Sequence, residues 1–366
     1  MHGLRCAILC GTVLFATGCA SDNREVNELT ARIDSIVQEK FEAGEFHGGL
    51  LVARGEQVLY RGAVGMADRA RSIPNTPETL YPLQSITKSF TAIIILQLVE
   101  EGLLDLSGTL DQYFPDYGGP EADRITLHHL LSHTSGVPDR LVSIPGYWEE
   151  LPDFSRDSLF SLIAAMPLEF EPGSAFAYTN TGFVLLATIA EGLTGQSYAE
   201  LLQERIFDPL EMRDSRWIGS EVGEGIAIQY SGESAVPQET IYEGEAGIVS
   251  TLDDMHRFAL ALGSTELLSA EMWDLAFAAH ALPEDAARFH PAHANPYGYG
   301  FGIGKVGDTD PPTRVVMHGG AGLGGTSMMQ RVIDGEGMLL LWNNVAGPRP
   351  FLPEVLEVLV NGGGGE

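Results

Sequence analysis

Basic residues are scarce in this chain. Among 366 residues, Lys and Arg number 21 against 50 Asp and Glu, a formal net charge of −29. Nucleic acid is therefore not expected as a partner, because neutralising phosphates takes Lys and Arg. The acidic excess reads as a solvated surface that favours solubility. Cysteine is scarcer still: Cys6, Cys10 and Cys19, all within the first 19 residues. Long apolar runs are missing after the N-terminus, so no later segment is expected to cross a bilayer. G-x-S-x-G is missing too, which counts against the nucleophile elbow of an α/β-hydrolase. Charged residues reach only 19% while apolar ones reach 44%. That balance excludes a disordered chain and is enough for a large single unit or two domains with real cores.

The N-terminus reads "MHGLRCAILCGTVLFATGCASDNRE". Arg5 gives a short positive region, and an apolar stretch from Cys6 to Ala16 follows. It is too short to span a membrane and has the length of a signal peptide. "FATGCAS" resembles the bacterial lipobox, in which the cysteine after the cleavage site is lipidated. The expectation is a signal peptide over 1–18, a lipid on Cys19, a polar tether over 19–25 and export to the cell envelope or periplasm. Contact with the membrane would run through that anchor alone. The mature chain would keep one thiol and form no internal disulfide.

Val26, Leu29, Ile33, Ile36, Val37 and Phe41 recur at helical spacing, predicting an amphipathic helix. "HGGLLVARGEQVLYRGAVG" predicts two strands joined at Arg54-Gly55-Glu56. From 86 to about 240 the pattern is mostly helical, cut by Pro and Gly loops. Four strand-like runs follow, "GYGFGIGK", "TRVVMHGG", "TSMMQRVI" and "GMLLLWNN", and "PFLPEVLEVLV" closes as a helix. Strands at both ends with helices between predict an α+β fold: one antiparallel sheet flanked by N- and C-terminal helices, with a helical domain inserted. The sheet domain would take 26–85 and 241–366, and the helical domain 86–240.

The chemistry begins in "YPLQSITKSFTAIIILQLVEEG". Hydroxyl residues before an apolar run often cap a helix, and a lysine there is often merely solvated. Yet Ser85 and Lys88, three apart, would share one helix face. A serine is a weak nucleophile until a base takes its proton, and a lysine buried by such a run can be that base. The pattern alone leaves both readings open. "FAYTNTGF" adds Tyr178 and Asn180 before a second apolar run, and "VVMHGGAGLGG" adds His318, Gly319 and Gly320 at a strand end. "LLSHTSGVP" with His133 and the Gly-rich "YEGEAGIVSTLDDMHRF" also stand out. Gly320, Gly322 and Gly325 match G-x-G-x-x-G, but strands rather than a helix follow, so a dinucleotide site is not expected. His129 and His133 have the spacing of a metal pair without the glutamate of H-E-x-x-H, and His290 and His293 lack a third ligand.

S-x-x-K, Y-x-N and H-G-G occur in that order, before, within and after the helical stretch. The set resembles the serine β-lactamase and penicillin-binding-protein superfamily, and most of all its class C β-lactamase-like branch. That branch holds family VIII carboxylesterases, D-aminopeptidases and D-alanyl-D-alanine carboxypeptidases. The likeness runs from about residue 30 to 360. It implies a β-lactamase/transpeptidase-like fold with the site between sheet and helices, acting on a small ester or amide without metal or cofactor. It implies Ser85 as the acylated nucleophile, Lys88 as a neighbour that keeps the site electropositive and helps take its proton, and Tyr178 as a partner base held near ionisation by Lys88. Asn180 would orient Lys88 and the substrate, and the backbone N–H groups of Ser85 and Ala321 would form the oxyanion hole. His318, Gly319 and Gly320 would line the substrate side. β-Lactamases carry Lys-Thr-Gly or Lys-Ser-Gly there, so His318 leans toward esterase or peptidase members. Thr179 replaces the more usual Ser or Ala. An ester is the preferred substrate; a D-amino-acid peptidase, a weak β-lactamase and a catalytically silent binding module are the rivals.

Overall fold

The structure is a computed structural model and describes residues 18–147, 154–221, 223–237, 240–282, 284, 295–306, 313–333, 335–345 and 355. Helix α1 runs Gly18–Glu42. Strands β1 (Gly48–Arg54) and β2 (Gln57–Val64) form a hairpin turning at Gly55, whose φ is +58°. Helix α2 (Thr87–Glu100) opens the helical stretch; α3 (Leu127–Leu131) and α4 (Asn180–Thr194) lie within it, and α5 (Leu252–Ala261) follows it. Strands β3 (Gly302–Val306), β4 (Thr313–Ala321), β5 (Thr326–Val332) and β6 (Gly337–Asn343) complete the sheet.

The sheet order is β3-β4-β5-β6-β1-β2, with every neighbouring pair antiparallel. Both faces of β1 are buried, and period-2 alternation divides its side chains between two layers. Leu50 and Val52 join Leu339 and Leu341 against Leu29, Ile33 and Val37 of α1. Leu51 and Ala53 face the other way, into the large core that holds α2, α4 and α5. α2 is apolar on all sides and buried almost throughout, which makes it the central helix of that core. Phe90 stacks on Phe258 of α5 at 3.9 Å between ring centroids.

Two N-terminal expectations meet different fates. The signal-peptide residues 1–17 lie outside the described residues, as do all but Val355 of the expected closing helix. Residues 19–25, expected as a tether, belong to the first turns of α1. No Pro or Gly stands between Cys19 and Glu25, so nothing there breaks the helix that the apolar stripe from Val26 begins. Among the described residues no helix is long and apolar enough to cross a membrane.

Candidate active site

Ser85 sits in a single 3₁₀ turn, Gln84–Ile86, that runs straight into α2. The turn is anchored on both sides. Leu83 N donates to Ile248 O at 2.8 Å, and Ser327 Oγ of β5 donates to Leu83 O at 2.8 Å. Gln84 is buried with a left-handed φ of +52°, a conformation that costs a non-glycine residue energy and fixes the turn's direction. The hydroxyls around it are not helix caps. Ser89 Oγ donates to Gly300 O at 2.7 Å, and Thr87 Oγ1 accepts from Ile248 N at 3.4 Å. That leaves Ser85 for Lys88.

Lys88 is fully buried, and its ammonium has three acceptors for three protons. Nζ lies 3.2 Å from Ser85 Oγ, 2.7 Å from Asn180 Oδ1 and 2.9 Å from the Glu245 carbonyl. Burial lowers its pKa to about 8, against the raising effect of the Glu245 and Asp139 carboxylates; Arg140 lowers it further.

Tyr178 lies in an extended run just before α4, whose first residue is Asn180. His133 supports that run: its carbonyl accepts from Ala177 N at 2.9 Å and its Nδ1 accepts from Thr179 N at 3.2 Å. The His133 ring also packs 4.3 Å from the Tyr178 ring. Part of Tyr178 is exposed, yet its hydroxyl is shielded from solvent and faces the Ser85 side chain. Lys88 Nζ stands 5.0 Å from the centre of the Tyr178 ring. The expectation that Lys88 holds this phenol near ionisation is not met. Burial pushes its pKa well up, and the Asp139 and Glu245 carboxylates add to the rise. Both directions favour uncharged side chains, a phenol at Tyr178 and an amine at Lys88.

Ser85, Tyr178, Asn180, Gly319 and Ala321 all line one cavity of about 460 Å³. Lys88 lies behind its wall. Gly320 lets the end of β4 approach the serine turn: a Cβ there would stand 2.6 Å from Leu83 O and 2.3 Å from Ser327 Oγ. His318 is placed differently from expectation, since its side chain is not among the cavity's lining residues. It is buried against Tyr297, whose hydroxyl lies 3.0 Å from Nε2. The turn from Gly322 to Gly325 joins two antiparallel strands, which removes the dinucleotide motif from consideration. His129 Nδ1 accepts from Thr126 N at the start of α3, so the His129–His133 pair does not converge on one point. Among the described residues no group of three His, Cys, Asp or Glu is placed to hold a metal.

Three further residues at the site carry no motif. Asp139, Arg140 and Glu245 are all buried, in Pro- and Gly-rich stretches where charge reads as solvated. Arg140 Nε and Nη2 lie 3.0 and 2.5 Å from the two oxygens of Glu245. Asp139 Oδ2 accepts from both the backbone and the side-chain nitrogen of Asn180.

A buried lysine beside a serine, a shielded tyrosine donor and a cavity between a six-stranded antiparallel sheet and a helical layer together define a serine hydrolase of the β-lactamase/transpeptidase fold. The chain belongs to the Beta-lactamase family, whose model matches residues 33–358. It is 28% identical over 333 residues to a penicillin-binding protein of Bacillus subtilis (strain 168), covering 85% of this chain and 71% of that protein. It is 34% identical over 218 residues to Esterase EstB of Burkholderia gladioli, covering 55% of each, so the chain spans about half the length of that relative. Among solved structures it is similar to the D-amino acid amidase from Ochrobactrum anthropi SV3 complexed with L-phenylalanine amide. The TM-score there is 0.75 at 25% identity, over 92% of this chain and all of that one.

Proposed function

We propose that the chain hydrolyses small carboxylic esters through an acyl-enzyme on Ser85. The 3.2 Å contact between Lys88 Nζ and Ser85 Oγ carries this reading. When Lys88 is neutral, its two N–H groups remain with Asn180 Oδ1 and the Glu245 carbonyl, and its lone pair faces the serine hydroxyl. Lys88 takes the Ser85 proton as Oγ bonds to the carbonyl carbon. The backbone N–H groups of Ser85 and Ala321 receive the developing oxyanion. Tyr178 gives its proton to the leaving alkoxide as the C–O bond breaks, and the Lys88 ammonium then reprotonates it. Water repeats the sequence on the acyl-enzyme: its proton goes to Lys88, Ser85 Oγ leaves, and the acid is released. Asn180 orients Lys88, while Gly319 and Gly320 form the backbone edge along which the substrate lies. His318 supports that edge from inside.

Ester rather than charged peptide is favoured by the cavity. Ile218, Ile226, Ile228, Val236, Ile241 and Leu323 give it apolar walls, and its guanidinium, Arg140, is already paired with Glu245. A free substrate carboxylate gains little there. The similarity to an esterase agrees. A second reading, hydrolysis of D-amino-acid amides, draws on the similarity to the amidase and on Glu221, a lining carboxylate that suits a substrate ammonium. p-Nitrophenyl esters, D-aminoacyl anilides and a chromogenic cephalosporin, tested on one preparation, separate these readings. Esters are expected to turn over fastest, and a fluorophosphonate is expected to label Ser85 once. Folded protein that stays unlabelled overturns the hydrolase assignment of Ser85. The same proposal includes export and lipid attachment at Cys19, supported by the "FATGCAS" stretch.

A further inference from the structure

Four charged side chains are buried together at the site: Lys88, Asp139, Arg140 and Glu245, each no more than 2% exposed. Their charges sum to zero only while Lys88 is an ammonium. The pairing within the group is uneven. Arg140 meets both oxygens of Glu245 and also reaches the Thr240 carbonyl at 3.2 Å. Its guanidinium lies 5.0 Å from the Tyr242 ring centre, and Tyr242 N donates to Glu245 Oε1 at 3.1 Å. Glu245 is thus neutralised by Arg140. By charge balance Asp139 is left as the counter-charge of Lys88.

Asp139 reaches Lys88 through Asn180. A carboxylate only accepts hydrogen bonds. Asp139 Oδ2 takes one from Asn180 Nδ2 at 3.1 Å and another from Asn180 N, which fixes the amide's orientation. The amide oxygen is thereby turned toward Lys88, where it lies 2.7 Å from Nζ. The second acceptor of Lys88, the Glu245 carbonyl, belongs to the residue that Arg140 holds. One dipeptide, Asp139-Arg140, therefore fixes both acceptors that direct Lys88 toward Ser85.

We propose that Asp139 is a positioning residue that serves as the counter-charge of Lys88 and aims it at Ser85, acting through Asn180. This rests on the Ser85 reading above. Charged or titratable groups face Lys88 from several elements: Asp139 and Arg140 from the cap and first residue of the short helix Arg140–Ser143, Tyr178 from the run before α4, and Glu245 from the turn before Ile248–Ser250. Of these, Asp139 combines a negative charge with no ion-pair partner of its own among the described residues. Its carboxylate raises the lysine's pKa, as that of Glu245 does. Removing either charge favours neutral Lys88.

Asp139 has one structural duty that must be kept apart. Its Oδ1 accepts from Leu141 N at 2.8 Å and caps the short helix Arg140–Ser143. Asn and Ser cap helices about as well as Asp. Asp139→Asn and Asp139→Ser therefore preserve the cap and remove the charge, while Asp139→Glu preserves the charge. The experiment is the pH dependence of kcat/KM for p-nitrophenyl acetate, with folding checked by circular dichroism. Asp139→Asn is expected to lower the plateau by about tenfold and to move the acid limb about one pH unit lower, the direction expected when a carboxylate near a lysine is lost. Asp139→Ser is expected to do the same, and Asp139→Glu to return the limb toward its wild-type position. A purely structural role lowers the plateau and leaves the limb in place; that result overturns the proposal. Failure of both cap-preserving variants to fold overturns it as well. An inactive wild type overturns the Ser85 reading and this proposal with it, whereas an active wild type with an unmoved limb overturns this proposal alone.

Discussion

The hydroxyl of Tyr297 lies 3.0 Å from Nε2 of His318, and the other ring nitrogen of His318 lies 2.8 Å from the Gly319 carbonyl. A carbonyl can only accept, so Nδ1 carries a proton toward Gly319. The two contacts fix the orientation of the ring. They also hold the Gly319 peptide, which lines the cavity.

Tyr297→Phe keeps the ring and removes the hydroxyl that meets His318 Nε2. An unsatisfied buried group costs about 1–3 kcal/mol. Urea unfolding is expected to show a loss in that range. Unchanged stability would mean that the pair contributes nothing to holding the strand.

The proposed mechanism requires neutral Lys88, whose pKa burial lowers to about 8. Below that pH the ammonium has no lone pair for Ser85, so kcat/KM should rise with pH through an apparent pKa of about 8. A pH–rate profile on p-nitrophenyl acetate, corrected for spontaneous hydrolysis, measures it. A limb in the carboxylate range instead would remove Lys88 as the base.

Tyr178→Phe removes the proposed proton donor to the leaving group. General acid–base groups contribute about 10² to 10⁴ in rate. The loss should be larger for an ethyl ester than for a p-nitrophenyl ester, because nitrophenolate leaves without needing a proton. Equal losses on both substrates would take leaving-group protonation away from Tyr178.

Gly320→Ala places a methyl against Leu83 O and Ser327 Oγ, so β4 must move off the serine turn. Overpacking of this kind costs about 1–3 kcal/mol, and turnover is expected to fall with it. Gly192→Ala in α4 is the control, because a Cβ there meets nothing within 4 Å. Similar behaviour of the two variants would show that close approach at Gly320 is unimportant.

Cys19→Ser is expected to move the protein from the membrane fraction to the soluble one. Unchanged fractionation would argue against lipid at that residue.

Much of the scaffold was legible because its periodicities are clean. The hairpin at Gly55 and the runs that became β3 to β6 alternate or end at glycines. The run after Lys88 is apolar on every side, as a central helix must be. Ser85 and Lys88 were legible through spacing, and Asn180 through its place at a helix start. Asp139, Arg140 and Glu245 were not. Charges in Pro- and Gly-rich loops ordinarily face water, and only tertiary packing shows that these three are buried and matched. The direction of His318 was hidden for a related reason. Its inward turn depends on Tyr297, a residue 21 positions away with no motif of its own.

The sheet joins parts of the chain that are made far apart in time. β1 pairs with β6, and His47 N reaches Asn343 Oδ1 across 296 residues. During synthesis the first hairpin therefore waits, with one edge of β1 unpaired, until almost the whole chain has emerged. Such non-local pairing slows folding, and a waiting edge invites association with other chains. A truncation just before β6 would remove none of Ser85, Lys88 or Tyr178, yet it would leave β1 and β5 each with an open side. Such a fragment would hold every reacting group and still lack the sheet that lets them meet.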